Sequence, residues 1–518
     1  MSPLSLADVV AASADLATTS SRTAKVARLA DLLTVASADG PRTATVVAAF
    51  LGGRVPHGRL GVGFRSLGDL PGPAQVPSLT VAEVDAAFTA LAAASGAGSR
   101  GARLATLGAL FGRATPAEHA YLRGLVTGDV RQGALEGLVL QALAVAAGVP
   151  EAVLRRAAML AGRVHAVAAE ALLGGPAALD AVTLQVGRPV APMLAASAPE
   201  VSQALAGACS VERKLDGIRV QGHKQGDLVA VFSRGLDDIT AQVPEVAESL
   251  AALPVRSAVL DGEAIALRGD GRPEPFQVTG ARAASSKDPA TLRRQTPLST
   301  FWFDVLLADD VVLLDEPLTA RREVLSRIVP PHQRVPALVT GDPHEATAFF
   351  EAQLAAGHEG VVVKQLDTRY TAGRRGSGWT KVKPRHTLDL VVLAVERGSG
   401  RRRGTLSNIH LGARDPAGGG FVMLGKTFKG MTDEMLAWQT RRFTELAIDA
   451  GEWVVTVRPE QVVEIAFDGL QRSSRYPGGL ALRFARVLRY RFDKGADEAD
   501  TIDAVRALAE RPPGDNQV

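Results

Sequence analysis

The sequence predicts a multidomain protein with an all-α N-terminal domain, a central α+β domain and a C-terminal β-barrel. Its 518 residues are the length of about three domains. Apolar residues recur at helical spacing up to about residue 190, short strands then alternate with helices, and strands dominate from Leu388 onward. We therefore expect domains at 1–190, 191–385 and 386–495, followed by a tail at 496–518.

The helical character of the first domain rests on four segments with apolar residues three or four positions apart. These segments are Ala24–Leu33, Val81–Ala94, Leu104–Phe111 and Glu151–Leu173. A further stretch, 127–137, places Arg131 among glycines at an expected helix start. Backbone N–H groups at a helix start together with an arginine suit a phosphate. The plainer alternative is a turn between two helices that carries a solvated arginine.

The central domain is predicted from a change of pattern near Leu184, where a proline-rich linker at 187–194 precedes alternating strands and helices. The barrel is predicted from six short strands whose spacing is typical of a small β-barrel. These strands are Leu388–Glu396, Leu406–Gly412, Phe421–Lys426, Val454–Val457, Val462–Phe467 and Leu482–Tyr490.

Composition excludes several classes of protein. With 46% hydrophobic and 22% charged residues the chain is expected to be globular. No apolar run is long enough to span a membrane, so no membrane partner is expected. Cys209 is the only cysteine, which excludes an intramolecular disulfide and a cysteine-rich zinc site. The N-terminus lacks a signal-like segment, so we expect cytoplasmic residence. The net charge is only +3, but an isoelectric point of about 9.1 and a basic stretch from Arg472 to Lys494 favour an anionic partner.

Lys214 is the candidate around which the central domain is organised. It follows a short apolar strand and precedes the turn residues 216–217, after which 218–223 has the pattern of another strand. A lysine amine is a nucleophile only when unprotonated, and the nearby Arg213 and Arg219 would favour that form. Taken alone, such a motif is more often a solvated lysine before a hairpin turn.

Further charged and aromatic motifs follow Lys214 in a fixed order. They are Ser233-Arg234-Gly235, Asp261-Gly262-Glu263, Phe301–Asp304, Glu359–Lys364, Trp379–Lys383 and the basic run from Arg483 to Lys494. Singly, each fits an edge charge, a core aromatic or a solvated strand face. Together they supply a nucleophilic lysine, carboxylates for Mg²⁺, cations for phosphate oxygens and an aromatic ring for a purine. The set therefore predicts nucleotidyl transfer.

This ordered set resembles the motifs of the ATP-dependent DNA ligase family across residues 212–494. The helical first third, with Arg131-Gln132-Gly133, resembles the helical DNA-binding domain of the larger ligases. The resemblance implies that the central domain is a nucleotidyltransferase domain of the ATP-grasp-like adenylation type. It implies an OB-fold for the C-terminal barrel, and a DNA-binding role for Arg131.

The resemblance also implies a role for each matching residue around the nucleotide. Lys214 would carry AMP through a phosphoramidate bond, Glu212 would accept a hydrogen bond from the adenine amino group, and Phe303 would stack on adenine. Arg219 and Arg234 would contact the ribose or phosphates.

The remaining matches concern the phosphates and the metal. Glu263 would meet the ribose and, with Glu359, hold Mg²⁺, although Mn²⁺ would suit the same oxygen ligands. Lys381 would contact the α-phosphate, with Lys383 a weaker candidate, and Arg375 would contact the nucleotide. The barrel would contribute pyrophosphate-orienting cations, namely Arg489, Arg491 and Lys494.

The function implied is ATP-dependent sealing of nicks in duplex DNA during replication, recombination or repair, by a monomer. AMP would pass from ATP to Lys214, then to the 5′-phosphate of the nick, and the 3′-hydroxyl would displace it. Because the barrel cannot present Arg491 and Lys494 to pyrophosphate and grip DNA in one pose, we expect it to rotate about 383–385.

Three alternatives differ from this interpretation. An RNA ligase or a capping-type nucleotidyltransferase shares the lysine motif, but the helical first domain favours DNA. An NAD-dependent ligase carries a four-cysteine zinc module, which the single Cys209 excludes. A non-catalytic DNA-binding scaffold would not need Lys214, Glu263, Glu359 and Lys381 together.

Overall fold

The computed structural model describes residues 3–68, 70–130, 132, 136–285, 287–371, 375–384, 386–399 and 402–510, with 375–377 and 510 described as backbone. These residues form a helical domain, a domain with two main sheets and a barrel, in chain order.

The N-terminal domain packs its helices around one hydrophobic core that extends from Leu4 to Leu179. The helices are α1 Leu6–Thr18, α2 Arg22–Ala38, α3 Pro41–Leu51, α4 Val81–Ala93, α5 Ser99–Arg113, α6 Pro116–Thr127, α7 Glu136–Ala147, α8 Glu151–Leu160 and α9 Gly175–Asp180. Three of them begin with a capping box, in which Ser5, Thr80 or Thr115 exchanges hydrogen bonds with the acidic residue three positions later.

The helical segment expected at Glu151–Leu173 is divided after α8. Gly162 has a φ of +82°, a conformation that glycine adopts without steric cost. A Cβ atom there would lie 2.6 Å from the carbonyl oxygen of Pro189. The chain continues as short turns at Val164–Val167 and Glu170–Gly174. Helical spacing alone could not reveal this break, because its cause is contact with the distant linker.

The central domain contains two main sheets. Its strands are β1 Leu194–Ala198, β2 Cys209–Lys214, β3 Ile218–Gln225, β4 Leu228–Ser233, β5 Ser257–Ala266, β6 Leu298–Ala308, β7 Val311–Val312, β8 Ala337–Thr340, β9 Gly360–Gln365 and β10 Arg375–Val382. Its helices are α10 Val201–Ala204, α11 Pro244–Ala251, α12 Phe276–Ala284, α13 Pro289–Gln295, α14 Leu318–Ile328 and α15 Pro343–Ala355. One sheet has the order β1-β10-β9-β2-β8, and the other β4-β3-β5-β6-β7.

The turn after Lys214 joins these two sheets. Lys214 ends β2 opposite Gly360 of β9, whereas Ile218 begins β3 opposite Ala264 of β5. The turn therefore does not close a hairpin between its flanking strands. Gly217 is required here because a Cβ atom would clash with the carbonyl oxygen of Ala264. Lys214 is thereby held where the two sheets meet.

The C-terminal domain is a small barrel. Its elements are β11 His386–Arg397, β12 Leu406–Arg414, β13 Phe421–Thr427, α16 Asp433–Glu445, β14 Ala447–Ala450, β15 Val454–Val457, β16 Val462–Phe467, β17 Gly469–Arg472, β18 Leu480–Arg483 and β19 Arg486–Arg491. The main sheet has the order β13-β12-β11-β15-β14, and β16 pairs with both β11 and β19. β17 and β18 form a separate hairpin, hereafter the barrel hairpin.

The described part of the tail packs onto the barrel. Helix α17 spans Ile502–Glu510, and its Ile502 and Val505 are fully buried in the barrel core.

Within the described ranges, no single helix has the length and apolar composition of a membrane span. The bent pair Glu151–Leu160 and Val164–Asp180, at 112°, meets those two criteria only when taken together.

Candidate active site

A cleft of about 660 Å³ opens where the two sheets of the central domain meet. Seven of the predicted site residues line this cleft, namely Glu212, Lys214, Arg219, Arg234, Glu263, Phe303 and Lys381. They come from strands of both sheets and from the loop after β4, which explains why they lie far apart in the sequence. Arg59 of the helical domain also lines the cleft.

The Lys214 amine lies in the cleft as part of an ionic group. Its Nζ donates a hydrogen bond to Glu359, and Lys383 Nζ contacts the other oxygen of the same carboxylate at 3.1 Å. Burial would raise the pKa of Glu359, but the two ammonium groups outweigh burial and hold this pKa below its ordinary value. Glu359 therefore remains an anion beside the lysine.

Glu263 supplies a second carboxylate, on β5 at the wall of the cleft. Burial raises its pKa to about 7, and the charges of Arg219 and Lys214 oppose that shift. Among the described residues, no side chain donates a hydrogen bond to it. A divalent cation would offset the cost of keeping this carboxylate ionised. Glu263 and Glu359 together with phosphate oxygens and water fit Mg²⁺, which needs few protein ligands.

Arg219 is fixed by Asp261, a buried member of the Asp261-Gly262-Glu263 motif for which the sequence suggested no separate role. Its Nε donates to Asp261 Oδ1 at 2.6 Å, and the Tyr370 hydroxyl donates to Asp261 Oδ2 at 2.7 Å. Burial would lower the pKa of Arg219, but Asp261 outweighs it and raises this pKa. Asp261 lies two residues before Glu263, so strand alternation could have indicated that both face the same side.

Glu212 lies at the aromatic end of the cleft, 2% exposed. Its carboxylate forms an ion pair with Lys364 Nζ at 2.6 Å and with Arg322 Nη1 at 3.0 Å. Lys364 Nζ also lies 4.5 Å from the ring centroid of Phe303. Lys364 ends an apolar strand, a signal that could have identified it. Arg322 lies on α14, and nothing in the sequence pattern distinguishes it.

Comparison with known proteins covers all three domains. Residues 65–144 match the family model described as DNA ligase N terminus, 192–383 match ATP dependent DNA ligase domain, and 402–494 match ATP dependent DNA ligase C terminal region. A protein of Beutenbergia cavernae named Probable DNA ligase is 60% identical over 516 residues, covering 97% of this chain and 99% of that protein. The chain belongs to the ATP-dependent DNA ligase family.

Two further comparisons agree with this assignment. A Mycobacterium tuberculosis protein named DNA ligase B is 56% identical over 507 residues, covering 97% of this chain and 99% of that protein. A solved structure titled Pmar-Lig_PreS3 shares the fold, with a TM-score of 0.61 at 19% identity over 93% of this chain and 99% of that chain. The predicted fold class, family and ATP-dependent DNA ligase activity are therefore confirmed, in preference to the RNA-directed and scaffold alternatives.

The barrel of the ligase does not bring its three predicted cations to the cleft. Arg491 Nη1 and Lys494 Nζ both bind Asp389, at 2.8 and 2.6 Å, and Arg489 Nε binds Glu464 at 2.6 Å. These ion pairs hold the cations against the barrel itself.

The barrel hairpin instead contacts the central domain at the margin of the cleft. Arg483 Nη1 donates to Asp216 Oδ2 at 3.1 Å, and Lys383 forms an ion pair with Asp468. The Arg483 guanidinium carbon also lies 5.3 Å from the ring centroid of Phe276. The barrel hairpin therefore packs against the turn that follows Lys214, and this position of the barrel is hereafter called the closed arrangement.

Several predicted positions fall outside the described residues. Arg131 is one, and the side chain of Arg375 is another, although the backbone of Arg375 begins β10 opposite Leu194. Of the expected hinge 383–385, Arg385 also lies outside them.

Proposed function

We propose that this ligase seals nicks in duplex DNA by passing AMP from ATP through Lys214 to the 5′-phosphate of the nick. The observation that carries the proposal is the position of Lys214 Nζ, held by Glu359 in a cleft that Glu263, Arg219 and Lys381 also line or adjoin. A solvated lysine would have none of these neighbours.

In the first step the unprotonated Lys214 amine attacks the α-phosphorus of ATP. The N–P bond forms, the bond from the α-phosphorus to the bridging oxygen breaks, and pyrophosphate leaves. The ammonium group must first lose a proton to solvent, and the ionised Glu359 orients the amine. Lys381 contacts the α-phosphate and Arg219 and Arg234 the ribose or phosphates, neutralising charge that develops there.

Glu263 and Glu359 are the proposed metal ligands. Mg²⁺ would supply positive charge that stabilises the phosphoryl oxygens. Glu359 contacts Lys214, and Glu263 lies within the influence of its charge, so these two carboxylates would hold a metal on the side of the cleft where the reacting amine lies. Mn²⁺ is an alternative with the same oxygen preference.

At the base end, Glu212 accepts a hydrogen bond from the adenine amino group and Phe303 packs on the ring. Arg375 is proposed to contact the nucleotide, and Arg131 to contact DNA.

In the second step the 5′-phosphate of the nick attacks the AMP phosphorus and the N–P bond breaks. In the third, the 3′-hydroxyl attacks the 5′-phosphorus and AMP leaves.

The two later steps suit the closed arrangement, and the first step requires another. Arg489, Arg491 and Lys494 are proposed to orient pyrophosphate, yet Arg491 and Lys494 are paired with Asp389 here. Rotation of the barrel about 383–385 would move the barrel hairpin away from the cleft and bring these cations to the cleft in its place. A single chain supplies all the proposed groups, so we propose that the ligase is a monomer. Sedimentation with and without nicked DNA tests this oligomeric state. The proposed location is the cytoplasm.

One labelling experiment tests the proposal. The protein is incubated with α-labelled ATP, GTP or NAD, with Mg²⁺, Mn²⁺ or a chelator, and covalent label is measured on wild type and Lys214→Ala. We expect label from ATP, dependent on a divalent ion, absent in Lys214→Ala and discharged by nicked duplex but not by intact duplex. Label on Lys214→Ala, or label that survives the chelator, would contradict the assigned nucleophile or the metal.

A further inference from the structure

A second cavity, of about 620 Å³, lies behind the nucleotide cleft. Glu212, Phe303 and Val335 line both cavities and thus form the wall between them. Arg322 lines the second cavity but not the cleft. Arg322 therefore reaches Glu212 from the side away from the nucleotide.

Arg322 holds one oxygen of the Glu212 carboxylate, both directly and through the Ser210 hydroxyl. Its Nη1 lies 3.0 Å from Glu212 Oε1 and 2.6 Å from Ser210 Oγ, and the Ser210 hydroxyl lies 3.0 Å from the same carboxylate oxygen. Lys364 holds the other oxygen, Oε2, at 2.6 Å. The carboxylate is thus fixed by donors on both oxygens, and one of these donors belongs to a helix outside the cleft.

We propose that Arg322 is a positioning residue that sets the selectivity of the ligase for adenine through Glu212. The inference rests on the proposed contact between Glu212 and the adenine amino group. An ionised carboxylate accepts hydrogen bonds and donates none. It therefore favours a purine with a 6-amino group and rejects one with a 6-oxo group, provided that it cannot turn away.

The second cavity is what makes the anchor necessary. Without Arg322, the Glu212 carboxylate has open space behind it into which it can rotate. Lys364 would then hold Oε2, and only the Ser210 hydroxyl would remain on Oε1, the oxygen that borders the second cavity through Arg322. Loss of Arg322 would therefore weaken base recognition without touching the reacting atoms.

The test compares Arg322→Ala with Arg327→Ala, an exposed arginine on the same helix that lines neither cavity. Lysine adenylylation is measured against concentration for ATP, inosine triphosphate and purine riboside triphosphate, which lacks the 6-amino group. We expect Arg322→Ala to raise the KM for ATP and to reduce the preference for ATP roughly 10- to 100-fold. The rate at saturating ATP should fall much less, and Arg327→Ala should match wild type.

The outcomes separate this inference from the proposed function. If Glu212→Gln changes the preference and folded Arg322→Ala does not, Arg322 has no positioning role and the inference fails. If Glu212→Gln leaves the preference unchanged, the adenine contact itself is wrong. Should Arg322→Ala not fold, Arg322→Gln decides: it keeps a polar side chain but removes the cation that contacts Glu212 Oε1 and Ser210 Oγ, so wild-type preference in this variant would overturn the inference.

Discussion

Arg483 of the barrel hairpin donates a hydrogen bond to Asp216, two residues after Lys214, with Nη1 and Oδ2 3.1 Å apart. The two residues are 267 positions apart in the chain. Their contact joins the barrel directly to the turn that connects the two sheets. Together with the Lys383–Asp468 ion pair it connects the barrel to the neighbourhood of the reacting amine.

The Arg483 contact is predicted to stabilise the closed arrangement modestly. The pair is partly exposed, at 26% and 33%, so Arg483→Ala should cost about 1 kcal/mol of closure, or roughly fivefold. Single-turnover sealing of a pre-adenylylated nick should slow by that factor, while adenylylation by ATP should not slow. Arg475→Ala, an exposed arginine in the loop of the same hairpin, is the control, and equal slowing of both steps would contradict the prediction.

Locking the barrel in the closed arrangement should prevent adenylylation. Gln277 Nε2 donates to the Arg472 carbonyl oxygen at 3.2 Å across the two domains, so Gln277→Cys with Arg472→Cys offers a disulfide. The native Cys209 is buried. We expect the oxidised protein to take no label from ATP, because a locked barrel cannot carry Arg489, Arg491 and Lys494 to the cleft, from which they face away in this arrangement.

Reduction of that disulfide should restore labelling, and each single-cysteine variant serves as a control for the substitutions. Rapid labelling of the oxidised double variant would reject barrel rotation as a requirement of the first step.

Stability should depend on pH through Glu263. Burial raises its pKa in the folded protein to about 7 from an ordinary 4.5, so the folded state binds this proton more tightly than the unfolded state does. The free energy of unfolding of metal-free wild type should therefore fall, relative to Glu263→Gln, as pH rises from about 4.5 to about 7. Above that range the difference should level off.

Denaturant unfolding of both proteins at a series of pH values measures this difference. A wild type that gains stability relative to Glu263→Gln over the same range would show that Glu263 is an ordinary paired carboxylate.

The structural role of Arg321 contrasts with that of its neighbour Arg322. Arg321 and Asp304 are fully buried and joined at 2.7 Å, and Arg321 Nη1 also donates to the carbonyl oxygens of Glu316 and Thr368. Arg321→Ala leaves a buried carboxylate unpaired, which typically costs about 3–5 kcal/mol. Urea unfolding should show that loss, whereas a loss below about 1 kcal/mol would mean that water replaces the guanidinium.

The sequence was sufficient for the fold class, and it named candidate residues that the structure brings to one cleft. Helical spacing identified the first domain, and the strand expected at Leu388–Glu396 is observed as His386–Arg397. The order of short motifs predicted that Lys214, Glu263 and Lys381 would share one cleft, and they do. Local patterns succeed here because spacing along a strand or helix fixes which side chains share a face.

Only the tertiary structure could decide which distant residues complete the site. Arg322 reaches Glu212 across 110 positions and Tyr370 reaches Asp261 across 109, and no local period encodes such contacts. The pairing of Arg491 and Lys494 with Asp389 is likewise a property of how the barrel packs. By itself the sequence determined which chemical groups are available and on which strands they lie. The ion-pair and hydrogen-bond partners of these groups were decided by packing between elements far apart in the chain, because such contacts form only when separate elements meet.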